Sequence, residues 1–136
     1  MNVKKILVPL DGSNCSKRAL NLAISLAKNK DITISGINVL KIPMVYTNKI
    51  KKQAKIFSEI IIDDASETAK RNEIPFKTRI ISNGYAGKEI VQYAEKNKFD
   101  LIIMGSRGPH PIAEMFLGSI ANYVVTKSKI PVMIVK

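Results

Sequence analysis

The chain has 136 residues, of which 46% are hydrophobic and 24% charged, a balance that is typical of globular proteins and excludes an intrinsically disordered chain. This length suffices for one hydrophobic core and not for two, so we expect a single domain spanning residues 1–136. The 22 Lys and Arg residues exceed the 11 acidic residues and give a net charge of +11, which attracts nucleotides, nucleic acids and anionic membranes alike and therefore selects none of them.

The first predicted strand runs from Val3 to Leu10 and leads into Asp11-Gly12-Ser13. A carboxylate at the end of a strand suits hydrogen bonds from ribose hydroxyls or an adenine amino group. The same tripeptide is also typical of a turn, in which Ser13 or Ser16 caps the next helix. Both interpretations stay open on these residues alone.

The helix that follows is predicted from Ser16 to Lys28 and is rich in Ala and Leu. Cys15 is the only cysteine, so no internal disulfide forms. It falls near a helix start, where thiolates are favoured, but no neighbouring residue supplies a general base. We therefore interpret Cys15 as a small packed or surface residue.

The second strand, Ile32 to Val39, precedes a connection without clear period, Lys41 to Asn48, and a long amphipathic helix from Ile50. Apolar positions three and four apart predict that one face of this helix packs on the sheet. Lysines gather at its start, against the helix dipole. They are either a solvated basic face, which we favour, or a means of steering an anionic ligand. The lysines are Lys49, Lys51, Lys52 and Lys55.

The remaining strands are predicted at Phe76 to Ile81, Leu101 to Met104 and Pro131 to Val135, with helices at Lys88 to Lys96 and Ser119 to Thr126. Nearly continuous runs of Val, Ile and Leu are typical of strands covered on both faces. The alternation of strands and helices predicts an α/β fold with right-handed crossovers. We expect a doubly wound, open five-stranded parallel sheet in the order 3-2-1-4-5, with helices on both faces.

Ligands of such sheets bind at the carboxyl ends of the strands where the order reverses, here between the first and fourth strands. After the fourth strand, Gly105 and Gly108 flank a turn, and Gly118 and Ser119 open the next helix after nine intervening residues. Glycine permits close approach of a ligand and positive φ, and a helix N-terminus offers unpaired amides. The loop therefore predicts a phosphate site. Glycines at such a junction are also common as ordinary turn residues in α/β domains, and the position at the switch point favours the phosphate site. Within it, Arg107 either pairs with a phosphate or is solvated.

A transition-metal site is not expected, because the chain has one histidine, His110, and one cysteine. We interpret His110 as exposed. Magnesium is expected only as a companion of a triphosphate, since that ion keeps most of its waters and binds phosphate oxygens.

The chain lacks an apolar run of the ~18–20 residues that span a membrane and begins with a strand pattern rather than a signal peptide. We expect a cytoplasmic protein that makes no membrane contact.

Along the whole chain these motifs resemble the universal stress protein family. The spaced glycines match the signature of its ATP-binding members. The residues that carry the resemblance are ILVPLDGS with Ser16, Ala19 and Leu20, then Gly84 with Ile90, Tyr93 and Ala94, and finally DLIIMGSRG, LGS and IPVMIV.

The resemblance implies that Asp11 contacts the adenosine and that the backbone of Val39 meets the adenine. It further implies that Pro9 and Leu10 line the base pocket, and that Ile120 presents an additional amide. Ribose and phosphates would be held by Gly105, Gly108, Gly118 and Ser119. With Arg107, these form the predicted nucleotide site.

Three residues depart from what is frequent in the family. Asn38 replaces a common histidine, although a backbone contact at Val39 is compatible with that change. Pro109 and Pro111 stiffen the glycine loop, which leaves the choice among ATP, ADP and AMP open.

We interpret the chain as an ATP-binding regulatory or sensor protein with little or no turnover, because no residue is placed to orient an attacking water. The resemblance and an apolar edge strand both predict a homodimer through Pro131 to Val135. The alternatives are a basic nucleic-acid-binding protein, which the low aromatic content disfavours, and a ligand-free interaction module.

Overall fold

The computed structural model describes residues 1–41, 47–82, 84–108 and 117–136. Strands and helices alternate along the chain, as predicted. The strands are β1 (Lys5–Pro9), β2 (Thr33–Leu40), β3 (Phe76–Ser82), β4 (Leu101–Gly105) and β5 (Val132–Val135). The helices are α1 (Asn14–Ala27), α2 (Asn48–Arg71), α3 (Ala86–Lys96) and α4 (Ser119–Lys127).

The five strands form one sheet in the order β3-β2-β1-β4-β5, and every neighbouring pair is parallel. This confirms the predicted topology. β1 is central, since its Ile6 pairs with Ile34 of β2 on one side and with Leu101 of β4 on the other. The sheet order therefore reverses between β1 and β4, and the carboxyl ends of these strands flank the point of reversal.

Alternate side chains of β1 enter two separate cores. Ile6 and Val8 pack with α1 and α2 on one face, whereas Leu7 packs with α3 and α4 on the other. All three are 0% exposed, and full burial of such a side chain contributes about 1.5–3 kcal/mol. The helices thus cover both faces of the sheet, which explains the nearly continuous apolar sequences of the central strands β1 and β4.

Asp100 ties the connection before β4 to the start of β1. Its Oδ2 accepts hydrogen bonds from the backbone N–H groups of Lys4 and Lys5, each at 2.9 Å. These bonds, with the nearby lysine charges, hold the pKa of Asp100 below its ordinary value. Because the folded state favours the ionised carboxyl, this stabilisation is present above the unfolded pKa and is lost as the pH falls through the folded pKa.

The Asp100→Asn variant is therefore expected to be less stable than the wild type at neutral pH, and this difference should shrink as the pH falls below about 4. Urea unfolding of the variant and the wild type, from neutral pH to below about 4, measures the difference in their free energies of unfolding. Asp31→Asn, which changes an exposed carboxylate, is the matched control. A stability difference that does not change with pH would contradict a role for the Asp100 charge.

Candidate functional site

A cavity of about 420 Å³ opens at the carboxyl ends of β1, β2 and β4 and reaches the first turns of α3 and α4. Its volume lies in the range of about 300–1,000 Å³ that is usual for small-molecule sites. The structure brings all of the predicted site residues together around this cavity. They are Pro9, Leu10, Asp11, Val39, Gly105, Arg107, Gly108, Gly118, Ser119 and Ile120.

Other lining residues were not predicted as part of the site. Several are apolar and belong to the core between the sheet and the helices α3 and α4, namely Ile37, Ile90, Met104 and Ala121. They give the cavity an apolar wall that suits a flat aromatic base. The other unpredicted lining residues are Ser16, Asn38, Ala86 and Ser106.

The turn between β1 and α1 presents Asp11 to the cavity. Gly12 has φ of 85°, a conformation that side chains rarely adopt. Ser13 caps α1, because its side chain accepts from the backbone N–H of Ser16 at 3.1 Å. Asp11 accepts from the N–H of Ser13 through Oδ1 at 2.8 Å. One carboxylate oxygen therefore fixes the turn, and the capping interpretation holds for Ser13.

The second oxygen of Asp11 faces the glycine loop. A Cβ built on Gly108 would lie 3.3 Å from Asp11 Oδ2. Asp11 and Gly108 thus face each other at the cavity, although they are far apart in sequence. Both residues line the cavity.

Asn38 anchors the strand end that carries Asp11. Its Nδ2 donates to the carbonyl of Leu10 at 2.7 Å, and the Leu10 N–H donates to the carbonyl of Ile37 at 2.8 Å. Asn38 is 6% exposed, and its Oδ1 is buried with no hydrogen-bond partner among the described residues. Among the described residues, Asn38 therefore acts at this position as a hydrogen-bond donor.

Gly105 is required by packing, not by positive φ. A Cβ at this position would lie 2.7 Å from Cys15 Cβ and 2.8 Å from the Cys15 carbonyl carbon. Among the described glycines, only Gly12 has positive φ. Gly105, Gly108 and Gly118 therefore do not have positive φ. At Gly105 the missing side chain instead allows the close approach of α1.

The start of α4 offers backbone donors to the cavity. Gly118 is the N-cap, and its N–H donates to the carbonyl of Ser106 at 2.7 Å, which holds α4 against the end of β4. Gly118 has no side chain that could cap this helix, in contrast to Ser13 at the start of α1. Since first-turn N–H groups lack intrahelical partners, the amides of Ser119 and Ile120 and the partial positive charge of the helix are features that suit an anion.

The remaining sequence candidates contribute less to the cavity. Cys15 Sγ accepts from Arg18 Nη2 at 3.2 Å and lies 3.9 Å from Ser106 Oγ. Pro109, His110 and Pro111 lie outside the described residues.

In residues 1–41, 47–82, 84–108 and 117–136, no cluster of His, Cys, Asp and Glu suited to a metal is found. No described helix is long and apolar enough to cross a membrane. The lysines at the start of α2 do not line the cavity; they are Lys49, Lys51, Lys52 and Lys55.

Solved structures share this fold. The structure of hypothetical protein MJ0577 superposes with a TM-score of 0.92 at 27% identity and covers 100% of this chain and 97% of that one. A universal stress protein in complex with cAMP has a TM-score of 0.77 at 24% identity, covering 98% and 97%. A family protein from Arabidopsis thaliana with AMP bound has a TM-score of 0.76 at 18% identity, covering 98% and 91%.

Sequence comparisons extend along the whole chain. Universal stress protein YxiE of Bacillus subtilis is 32% identical over 146 residues, covering 97% of this chain and 98% of that one. Universal stress protein MJ0531 of Methanocaldococcus jannaschii is 31% identical over 140 residues, covering 98% and 82%. The family model described as "Universal stress protein family" matches residues 2–136. The chain belongs to the universal stress protein family.

Proposed function

We propose that the protein binds an adenine nucleotide in this cavity, with ATP as the expected ligand and ADP or AMP as alternatives. The observation that carries the proposal is the placement of three complementary features around one space of about 420 Å³. These features are the Asp11 carboxylate, an apolar wall and the start of α4, where the N-cap is a glycine. Structures of the same fold that contain cAMP and AMP support an adenine nucleotide.

Each feature fits one part of the ligand. The apolar wall suits the base, and the backbone of Val39 at the end of β2 can recognise its polar edge. Asp11 Oδ2 can accept hydrogen bonds from ribose hydroxyls. The α4 amides and the loop glycines suit the phosphates, with the Arg107 side chain as a nearby cation. Magnesium would be bound through phosphate oxygens rather than through a dedicated set of side chains.

The role that this site supports is binding with little or no turnover. Asp11, the carboxylate presented to the cavity by β1, already holds the turn through one oxygen. Phosphoryl transfer requires a residue that orients the attacking group. We therefore propose a sensor or regulatory protein of the stress response, in which nucleotide occupancy biases the loops around the cavity.

Thermal unfolding in the presence of ATP, ADP and AMP, with and without magnesium, tests the proposal. A ligand at ~100 times its dissociation constant stabilises the folded state by about 2.7 kcal/mol, which raises the Tm by several degrees. GTP is the matched control for recognition of the base. If no adenine nucleotide shifts the Tm at millimolar concentration, the proposed function is wrong.

A homodimer through β5 is part of the proposal. β5 is the last strand in the sheet order and pairs with β4 on one side only among the described residues. An edge strand of this kind is protected when it pairs with a second copy about a two-fold axis. Val132–Val135, within the predicted segment Pro131 to Val135, would provide that edge.

A further inference from the structure

Helix α2 exposes apolar side chains on the side that does not pack against the sheet. Ile56, Phe57 and Ile60 are 47%, 62% and 58% exposed. The buried residues of the same helix lie on its other side, as Ser58, Ile62 and Ala65 show. Charged residues at helical spacing extend the apolar group in both directions. The resulting α2 outer stripe consists of Lys49, Lys52, Ile56, Phe57, Ile60, Asp63 and Glu67, all of them exposed.

The charges of the α2 outer stripe are segregated. Lys49 and Lys52 precede the apolar centre, and Asp63 and Glu67 follow it. Like charges three or four positions apart on a helix repel each other, and lysines at a helix N-terminus oppose its dipole. No acidic residue occupies the first turn of α2 to offset them. The repulsion is greatest at the start of α2, because at the other end Glu67 precedes Lys70 and Arg71 by three and four positions. A partner surface that brings acidic groups to Lys49 and Lys52 would relieve it.

The same pattern is complementary to itself when a second helix runs in the opposite direction. Lys49 precedes Ser58 by nine positions, and Glu67 follows it by nine. In an antiparallel pair that is symmetric about the level of Ser58, these two residues reach the same height, because each residue advances a helix by 1.5 Å. Lys52 lies six positions before Ser58 and Asp63 five positions after it, so these two residues come within one residue of the same height.

The apolar residues at the centre of the stripe are also related by symmetry about the level of Ser58. Ile56 lies two positions before Ser58 and Ile60 lies two positions after it. Ile56 of one copy would therefore pack against Ile60 of the other. Phe57 lies beside the two-fold axis and would contact its own copy. We propose that the α2 outer stripe is an interface with a second copy of this chain, in which two α2 helices pack antiparallel with apolar contacts at the centre and ion pairs at both ends.

The proposed interface differs from pairing through β5. α2 packs over β2 and β3, whereas β5 lies at the opposite edge of the sheet. The two contacts can therefore form in one molecule, and two isologous interfaces generate a dimer of dimers when they close. Stable interfaces bury about 1,200–2,000 Å² in total. A single helix pair with three apolar side chains per copy should associate weakly and lose affinity with added salt.

Charge reversal tests the proposal. An acidic variant carries K49E/K52E and a basic variant carries D63K/E67K, all at exposed positions. Each variant alone should associate less than the wild type, because like charges then face each other across the axis. An equimolar mixture should recover association, since the acidic stripe of one variant complements the basic stripe of the other. Sedimentation velocity at about 50 mM salt measures the weight-average mass.

The readout is the increase in mass on mixing, which does not depend on whether β5 already pairs the chains. We expect the mixture to exceed the mean of its components by up to about twofold, as two-fold pairing predicts. K28E/K30E makes the same charge change on exposed residues outside α2 and should not respond to mixing with the basic variant. If the mixture sediments as the sum of its components, or if both variants associate like the wild type, the proposed interface is wrong.

Discussion

The Gly105→Ala variant is expected to lose about 1–3 kcal/mol of its free energy of unfolding, because the added methyl group has no space. It would lie 2.7 Å from Cys15 Cβ and 2.8 Å from the Cys15 carbonyl carbon. The second of these atoms belongs to the backbone of α1, which cannot rotate away. The clash must therefore be relieved by separating the start of α1 from the end of β4, which also distorts the cavity.

The matched control for this prediction is Gly84→Ala. A Cβ on Gly84 would approach the Glu89 side chain even more closely. That neighbour is the flexible end of a side chain and can move, so we expect a loss below about 0.5 kcal/mol. Urea unfolding of both variants measures the difference. Equal losses, or a Gly105→Ala variant of wild-type stability, would show that the approach of α1 to β4 does not determine this position.

The sheet could be predicted from sequence because its signals are local. β1 to β5 are short apolar runs separated by helical periods, and the handedness of the crossovers restricts the strand order. The predicted boundaries are less accurate. α1 begins at Asn14 rather than Ser16, because Ser13 provides the cap. The sequence left both serines open, since either can accept a hydrogen bond from a helix amide.

The candidate site was predictable where it follows from topology. Asp11 and Gly108 lie in the segments that follow the two strands at the reversal of the sheet order, so their proximity could be expected. Ile90 was missed as a lining residue because it lies in the middle of α3, and its apolar spacing is equally consistent with ordinary core packing. The bond from Asn38 to Leu10 depends on the distance between two strand ends, which no local pattern encodes.

Gly105 shows a further limit of predicting the site from the sequence. Close approach by a ligand and close approach by another part of the chain both require the absence of a side chain. The sequence favoured the ligand, whereas the structure shows Cys15 against Gly105. The spaced glycines therefore do not share one cause. Gly108 is adjacent to Asp11 Oδ2, and Gly118 begins a helix without a side-chain cap.

Replacing Ser119 by proline is expected to weaken ATP binding by about 10- to 100-fold, if the α4 amides hold the phosphates as proposed. The substitution removes one backbone donor, and hydrogen bonds to charged groups contribute about 1.5–3 kcal/mol. Proline is well tolerated at the first position of a helix, which Ser119 occupies. Gly118 has φ −65° and ψ 164°, the extended conformation that a residue before proline prefers. The fold should therefore be retained.

Ser119→Ala is the matched control, because it removes the hydroxyl and keeps the N–H. It should bind ATP more tightly than Ser119→Pro. Adenosine, which lacks phosphates, should bind both variants equally. Isothermal titration calorimetry with ATP and adenosine measures these differences. An equal loss in both variants would assign the contact to the hydroxyl, and unchanged ATP affinity in Ser119→Pro would remove the α4 amide from the phosphate site. Since the anion site at α4 depends on backbone donors, the proline variant tests it more directly than any change of side chain.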